Sequence, residues 1–226
     1  MTMTMAHLVT GVELPVPPPD LHCVGDGDFL AIGREFLGHL IDHAGLKRTD
    51  RVLDVGAAGI AWCREAVAPL HPGFSFLHLD LFHPLYNPAG TLASTRQHWP
   101  VPDESMDVVC LTSVFTHLTA EETRHYLREI ARVLKPDGRC LGTWFLLDGP
   151  QMPPGADYRL SFAAGEDGAF YDTLTGVPTA AVAYRLDWLG QELRRVGLDA
   201  TILPGHWSAS AEAVSYQDMT ILRRQV

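Results

Sequence analysis

The stretch Arg51–Glu65 reads RVLDVGAAGIAWCRE, and the fold is decided there. Val52, Leu53 and Val55 make an apolar run of strand length, with Asp54 and Gly56 at its end. Ala57–Gly59 is a turn of small residues, and Ile60–Leu70 has the composition of a helix. A strand, a small-residue turn and a helix form the front half of a nucleotide-binding βαβ unit. The turn is small so that backbone can approach a ligand, and the helix start offers unpaired N–H groups. The glycine spacing is irregular. A nucleotide loop carries glycine at three spaced positions, whereas this chain has Gly56, then Ala58, then Ile60, with Gly59 out of step.

Around that stretch, 226 residues allow one large domain or a domain with a modest cap. A composition of 46% hydrophobic and 19% charged residues supplies a full core. The net charge of −10, with no basic stripe, argues against a nucleic-acid partner held through its phosphates. Cys23, Cys63, Cys110 and Cys140 are scattered and form no CxxC. The last three lie in apolar segments and read as buried free thiols of a reducing, cytoplasmic protein. No apolar run reaches the ~18 residues that span a bilayer. The N-terminus lacks the basic-then-apolar plan of a signal peptide.

Upstream, residues 1–27 carry LPVPPPD at 14–20 and read as an extended arm, leaving 28–226 as a single domain. Helical spacing of Phe29, Ile32, Phe36, Leu40 and Ala44 predicts a helix stopped by Gly45. His39 and His43 lie one turn apart on it; without a third ligand they read as surface histidines, and no metal site is expected. Downstream, Phe74–Leu81 (FSFLHLDL) alternates and predicts a second strand, a parallel neighbour of the first through a right-handed crossover. The loop His83–Pro102 is long enough to be functional, with Tyr86 and Asn87 as candidates for ligand contact. Asp107–Phe115 reads as a buried parallel strand. Thr119–Glu122 is a capping box with Leu118 as its staple. The helix it opens turns Leu127, Ile130, Ala131 and Leu134 inward, and a strand over Arg139–Leu147 follows. Residues 148–183 break the α/β rhythm with prolines, glycines and aromatics, and are expected to cap the carboxyl edge of the sheet. Asp187 is expected to cap a helix ended by Gly197, and Ala200–Leu203 with Tyr216–Leu222 to form an antiparallel edge pair.

From Arg51 to Arg224 the chain resembles the class I S-adenosylmethionine (SAM)-dependent methyltransferases. Four features carry this: VLDVG at 52–56, the entry PDESMD at 102–107 into DVVCLTSVFTHL, LREIARVLKPDGR at 127–139, and the terminal helix with its β-pair. The resemblance implies an α/β, Rossmann-like fold with a mostly parallel sheet and an antiparallel terminal edge. It implies SAM as cofactor and a small-molecule substrate, a secondary metabolite among the candidates. Members read D-x-G-x-G-x-G, then a helix, a second strand ending in a ribose-holding acid, another helix and a third strand. Here one helix separates VLDVG from FSFLHLDL, so about one βα unit is missing. Carried over by position, the cofactor-binding set is Asp54, Gly56, Ala57, Gly59, Asp80, Leu81 and Thr112. Asp80 lies 24 residues beyond Gly56 and either replaces the lost ribose acid or is the family's third-strand Asp; both stay open. Ile60 sets a β-branched side chain where the family has glycine.

For chemistry, His117 follows the Asp107–Phe115 strand and can act as general base, with His206 a second candidate. Trp144, Tyr171, Tyr184 and Tyr216, with Tyr86, are the aromatic candidates for substrate contact. Three readings follow: a SAM-dependent methyltransferase of a small molecule; a SAM-independent enzyme such as a cyclase, isomerase or hydrolase in the old pocket; or a non-catalytic partner of an active enzyme. The missing unit leaves room for a second copy or a partner protein on an apolar face.

Overall fold

A computed structural model describes residues 15–22, 27–56, 59–71 and 73–225. Cys23 and Ala57 lie outside them. The chain packs as two compact units, Met1–Thr49 with Ala57–Leu79, and Asp50–Gly56 with Asp80–Val226.

In the first unit, α1 spans Phe29–Asp42. Asp28 starts it, its Oδ1 accepting from the Ala31 amide at 2.6 Å, and Gly45 (φ +64°) turns the chain beyond it. The second helix is shorter than its composition suggests. It consists of α2, Ile60–Trp62, continued by a π-helical turn over Cys63–Val67. Gly59, at φ +66°, is its N-cap.

The second unit begins with β1, Val52–Asp54. It continues through β2 (Met106–Leu111), α3 (Ala120–Val133), β3 (Leu134–Trp144) and β4 (Leu146–Leu147). Then come β5 (Phe162–Ala164), β6 (Ala169–Asp172), β7 (Val182–Arg185), α4 (Leu186–Arg195), β8 (Leu198–Leu203) and β9 (Asp218–Arg224). The main sheet has the order β1-β2-β3-β9-β8. Its first three strands are parallel, and β9 and β8 run antiparallel, as the terminal edge pair requires.

Burial explains the order. Val108, Val109 and Leu111 of β2 are fully buried, as parallel strands covered on both faces must be. Leu127, Ile130 and Val133 make the inward stripe of α3 and are also fully buried; each such side chain contributes ~1.5–3 kcal/mol relative to exposure. The capping box at Thr119 and Glu122 is formed in both directions. Lys135, at the start of β3, reaches both oxygens of Asp107 at 2.7 Å, and the Arg51 amide donates to the same carboxylate. These bonds pin the entries of β1, β2 and β3 together.

Residues 148–183 supply β5, β6 and the start of β7 to a second sheet, order β4-β7-β6-β5. Phe145, Leu147, Phe170, Ala183 and Trp207 form its core.

Three sequence expectations fail. Phe74–Leu81 is not a strand, and β1 is a terminal strand of the sheet, with Val52 48% exposed. The hydrogen bonds at 80–82 go elsewhere: the Asp80 carbonyl accepts from the amides of Thr91 and Leu92, and the Phe82 amide donates to Leu92. The strand over 107–115 stops at Leu111, because Ser113 turns into the left-handed region (φ +56°) and Phe115–His117 form a 3-10 turn. Asp187 does not cap α4. The N-cap is Arg185, and Asp187 instead accepts from the Arg185 guanidinium at 2.9 Å.

Candidate functional site

The parallel strands β1 and β2 deliver their carboxyl ends to one edge of the second unit, at Asp54 and Leu111. Beyond β1, the Val55 amide still donates to the Cys110 carbonyl before the chain turns at Gly56. Gly56 has φ +88°, and a Cβ there would lie 2.6 Å from Val114 Cγ2. Glycine is therefore required by both torsion and space. Asp54 remains open to solvent, yet the protein around it pushes its carboxyl up to about 6 through desolvation. Thr112, just past β2, is half-buried.

Asp80 and Leu81 open the loop. Asp80 Oδ1 accepts from Asn87 Nδ2 at 3.0 Å, and Oδ2 from the Thr91 hydroxyl at 2.7 Å and amide at 3.1 Å. Leu81 bridges to Leu92 and accepts from Asn87 Nδ2 at 2.9 Å. Asp80 thus closes its own loop with both carboxylate oxygens.

That loop carries Tyr86 onto His117. The His117 ring bonds on both sides: Nδ1 lies 3.2 Å from the Thr179 carbonyl and Nε2 lies 3.0 Å from Tyr86 Oη. A carbonyl can only accept, so the proton belongs on Nδ1, and Nε2 accepts from the tyrosine hydroxyl. Burial holds the His117 imidazole below the usual histidine range, outweighing the carbonyl bonds that favour its charged form. His117 is a neutral imidazole with its lone pair directed at a hydroxyl.

His83, which sequence reasoning missed, completes the cluster. Its Nδ1 accepts from the Leu85 and Tyr86 amides at 3.2 and 3.3 Å, so its Nε2–H donates to the His117 carbonyl at 3.0 Å. The His83 and His117 ring centroids lie 4.9 and 5.0 Å from that of Tyr86. A histidine three residues before Tyr86 in HPLYN is the only signal for it in the sequence. Ser113 was also missed. Its strained turn is held by its amide donating to Thr143 Oγ1 at 2.6 Å and by Gln217 Nε2 donating to its hydroxyl at 3.0 Å, and nothing in the sequence marks it.

The remaining candidates do not join His117 through any side-chain bond among the described residues. Trp144 and Tyr184 are fully buried and belong to the core, which corrects their reading as substrate contacts. Trp144 stacks on Phe115 at 3.7 Å and donates Nε1–H to Thr220 Oγ1. Tyr184 donates to the Leu118 carbonyl at 2.6 Å, and burial pushes its hydroxyl pKa up. Large aromatics are buried for their area, and both find polar partners there. Tyr171 donates to Asp167 at 2.6 Å and Tyr216 to Asp157 at 2.8 Å, both on the second sheet's side of the unit. His206 is exposed in the turn His206–Ser208, and the neighbouring Trp207 is buried with its Nε1–H on Asp218 Oδ2. Gly59 belongs to the first unit.

Residues 51–142 match the methyltransferase-domain family. Among solved structures, a protein from Pyrococcus horikoshii OT3 superposes with TM-score 0.52 at 13% identity, covering 92% of this chain and 96% of its own. The CcbJ methyltransferase from Streptomyces caelestis superposes with TM-score 0.50 at 16% identity, again covering 92% and 96%. Against the mitomycin 7-O-methyltransferase MmcR the likeness is partial: 19% identity, TM-score 0.37, 59% of this chain and 32% of that one, so the chain spans about a third of that protein. The chain thus carries a methyltransferase-domain match over residues 51–142 and has the Rossmann-like α/β fold of the class I methyltransferases.

Proposed function

We propose that the chain transfers a methyl group from SAM to a hydroxyl of a small molecule, a secondary metabolite in its class, with His117 as general base. The observation that carries this is the His117 ring, its proton fixed on Nδ1 by Thr179 and its Nε2 lone pair aimed at a hydroxyl 3.0 Å away. SAM supplies an electrophilic methyl on a sulfonium sulfur. Asp54 at the end of β1, Gly56 just beyond it and Thr112 after β2 are the residues that would flank it. Gly56 follows the strand without a side chain of its own, its left-handed turn packed against Val114. Asp80 does not fit a ribose-holding role, because both of its oxygens are engaged within its loop.

His117 accepts the hydroxyl proton at Nε2 as the oxygen becomes nucleophilic, and Thr179 stabilises the resulting imidazolium through its carbonyl. Bound SAM would supply the methyl to that oxygen and would retain the bonding electron pair on its sulfur as a neutral thioether. Holding the oxygen in line with the methyl supplies most of the rate, by removing the entropy of encounter. Buried Cys110 and Cys140, carrying no disulfide, support a cytoplasmic setting.

A second reading, SAM-independent acid–base chemistry at His117, is favoured by Asp80's engagement and by the terminal position of β1. One experiment separates the two. Thermal unfolding is followed with SAM from micromolar to low millimolar. At ~100 times its Kd a ligand adds about 2.7 kcal/mol, and each kcal/mol raises the midpoint by about 2–4 °C at this size. A saturable rise of several degrees, followed by methyl transfer to an acceptor, supports the proposal. No shift at millimolar SAM rejects it in favour of the second reading.

A further inference from the structure

Tyr86 is 63% exposed, yet its hydroxyl is bonded within the protein. It donates to His117 Nε2, the atom that a general base must keep available, while its ring packs beside His83 and against the edge of His117. A base whose lone pair is filled by the protein's own hydroxyl cannot take a substrate proton until that hydroxyl leaves. The geometry points to Tyr86 as an internal stand-in for the acceptor, displaced by a substrate that brings a phenolic or enolic hydroxyl on an aromatic ring to His117 Nε2. This rests on His117 being the base, as proposed above, and it names the acceptor class.

Three features select that class. A neutral imidazole with its lone pair outward accepts from an O–H and repels a carboxylate, which has no proton to give. An imidazole of reduced basicity removes a proton effectively only from an acidic hydroxyl, so an aliphatic alcohol is a poor match. The space that Tyr86 occupies is bounded by two imidazole rings at 4.9 and 5.0 Å, the spacing at which a six-membered aromatic ring packs. The Thr179 hydroxyl, beside the carbonyl that holds His117, is buried without a partner among the described residues, and a buried polar group calls for one.

Exchange requires little movement. The turn that carries Tyr86 is closed by backbone bonds in both directions between His83 and Asn87, at 3.1 and 3.0 Å. The Tyr86 amide stays on His83 Nδ1. Rotation of the Tyr86 side chain therefore uncovers Nε2 without opening the loop. In the transfer step the acceptor O–H bond breaks with its proton passing to Nε2. An O–CH3 bond forms as the S–CH3 bond breaks, and the sulfur keeps the electron pair.

The test uses the full chain and p-nitrophenol as probe, titrated by its visible absorbance and by calorimetry without SAM. Tyr86→Phe removes only the hydroxyl at an exposed position, and circular dichroism checks that it folds. Freed of its internal competitor, the variant is expected to bind p-nitrophenol about five- to tenfold more tightly than the wild type, the worth of one hydrogen bond. p-Nitroanisole, which lacks the O–H, should show no such gain, and His117→Asn should abolish the gain. Equal or weaker p-nitrophenol binding by Tyr86→Phe, or none by either protein at millimolar probe, overturns the stand-in. Because SAM is absent, a failure of methyl transfer leaves this result standing, and a success there does not rescue it.

Discussion

The loop that carries Tyr86 is anchored at its far end by one arginine, and replacing Arg132 by methionine tests how much depends on it. Arg132 donates from Nε and Nη2 to the two oxygens of Glu129 at 3.0 and 2.7 Å. It also donates to the Trp99 carbonyl at 3.1 Å, and to the Val101 carbonyl and Asp103 at 2.7 Å each. The Glu129 side chain is 6% exposed. Burial works against its charge, but the Arg132 guanidinium and the Trp99 amide outweigh it and hold the carboxyl below its usual range. Methionine fills a similar volume and leaves the buried carboxylate with Trp99 and the exposed His98 alone. Breaking one side of a buried pair costs ~3–5 kcal/mol. At ~2–4 °C per kcal/mol the midpoint should fall by about 6–20 °C. The pH dependence carries the sign. In the wild type the folded pKa of Glu129 lies below the unfolded one, so its contribution is present above the unfolded value and lost as pH falls through the folded one. In the variant the burial that raises the pKa is no longer outweighed, and the carboxyl sheds its penalty by taking a proton in acid. The deficit relative to wild type should therefore be larger at pH 8 than at pH 5. Adding Glu129→Gln should recover part of it. A loss below ~1 kcal/mol, or a deficit equal at both pH values, would show that the network is not a buried ion pair in this sense.

Other expectations follow from the same contacts. His117→Ala should lower methyl transfer by about 10²–10⁴-fold, the usual worth of a general base. In the wild type, the acid limb of the rate profile should fall below the ordinary histidine range, because burial lowers the His117 pKa. By the same linkage, the stability contribution of His117 is complete above its unfolded pKa and declines as pH drops below it, which urea titrations from pH 8 to 5 would register. Gly56→Ala should cost about 2–4 kcal/mol, from a left-handed torsion and the clash with Val114. The double change with Val114→Ala should relieve the clash alone. Asp54, whose carboxyl is raised to about 6 in the folded state, destabilises the fold as pH rises from the unfolded value through that point. Asp54→Asn should therefore be more stable than wild type at pH 7, by about 1 kcal/mol once solvent screening of an open carboxylate is allowed for, with no difference near pH 3.

Much of the fold was legible because local signals coincided with burial. The capping box at Thr119, the inward stripe of α3 and the apolar run of β2 each state one thing, and packing agrees. Phe74–Leu81 shows the limit of that logic. Alternation says which face a residue would take in a sheet, but not whether a partner strand is there to receive its hydrogen bonds. Asp187 failed for a similar reason: a carboxylate near a helix start can cap it or pair with a neighbouring arginine, and Arg185 lies two residues away. In the site, the position of His117 just past β2 was legible, though not its partners. Trp144 and Tyr184 were misread, because an aromatic in a segment bound for the carboxyl edge is as well suited to the core beneath it. Tyr86 was named, but not its bond to His117, since 31 residues separate them and only the loop's path joins them.

That path and the failed strand have a common cause. The chain at 80–82 has one set of backbone donors and acceptors, and every bond given to the 87–92 loop is denied to a neighbour of β1. Asp80 commits its carboxylate to the same loop. What a longer methyltransferase would spend on a further strand and a ribose acid is spent here on a tight turn that sets Tyr86 and His83 around His117. On the proposed function, the hydrogen bonds that set Tyr86 beside His117 are the same ones that keep Asp80 from a ribose. A chain of this design should bind its donor weakly and owe its selectivity to the acceptor. Measured by calorimetry, the affinity for SAM should rise when a phenolic acceptor is present, and an affinity unchanged by the acceptor would break the link between the two halves.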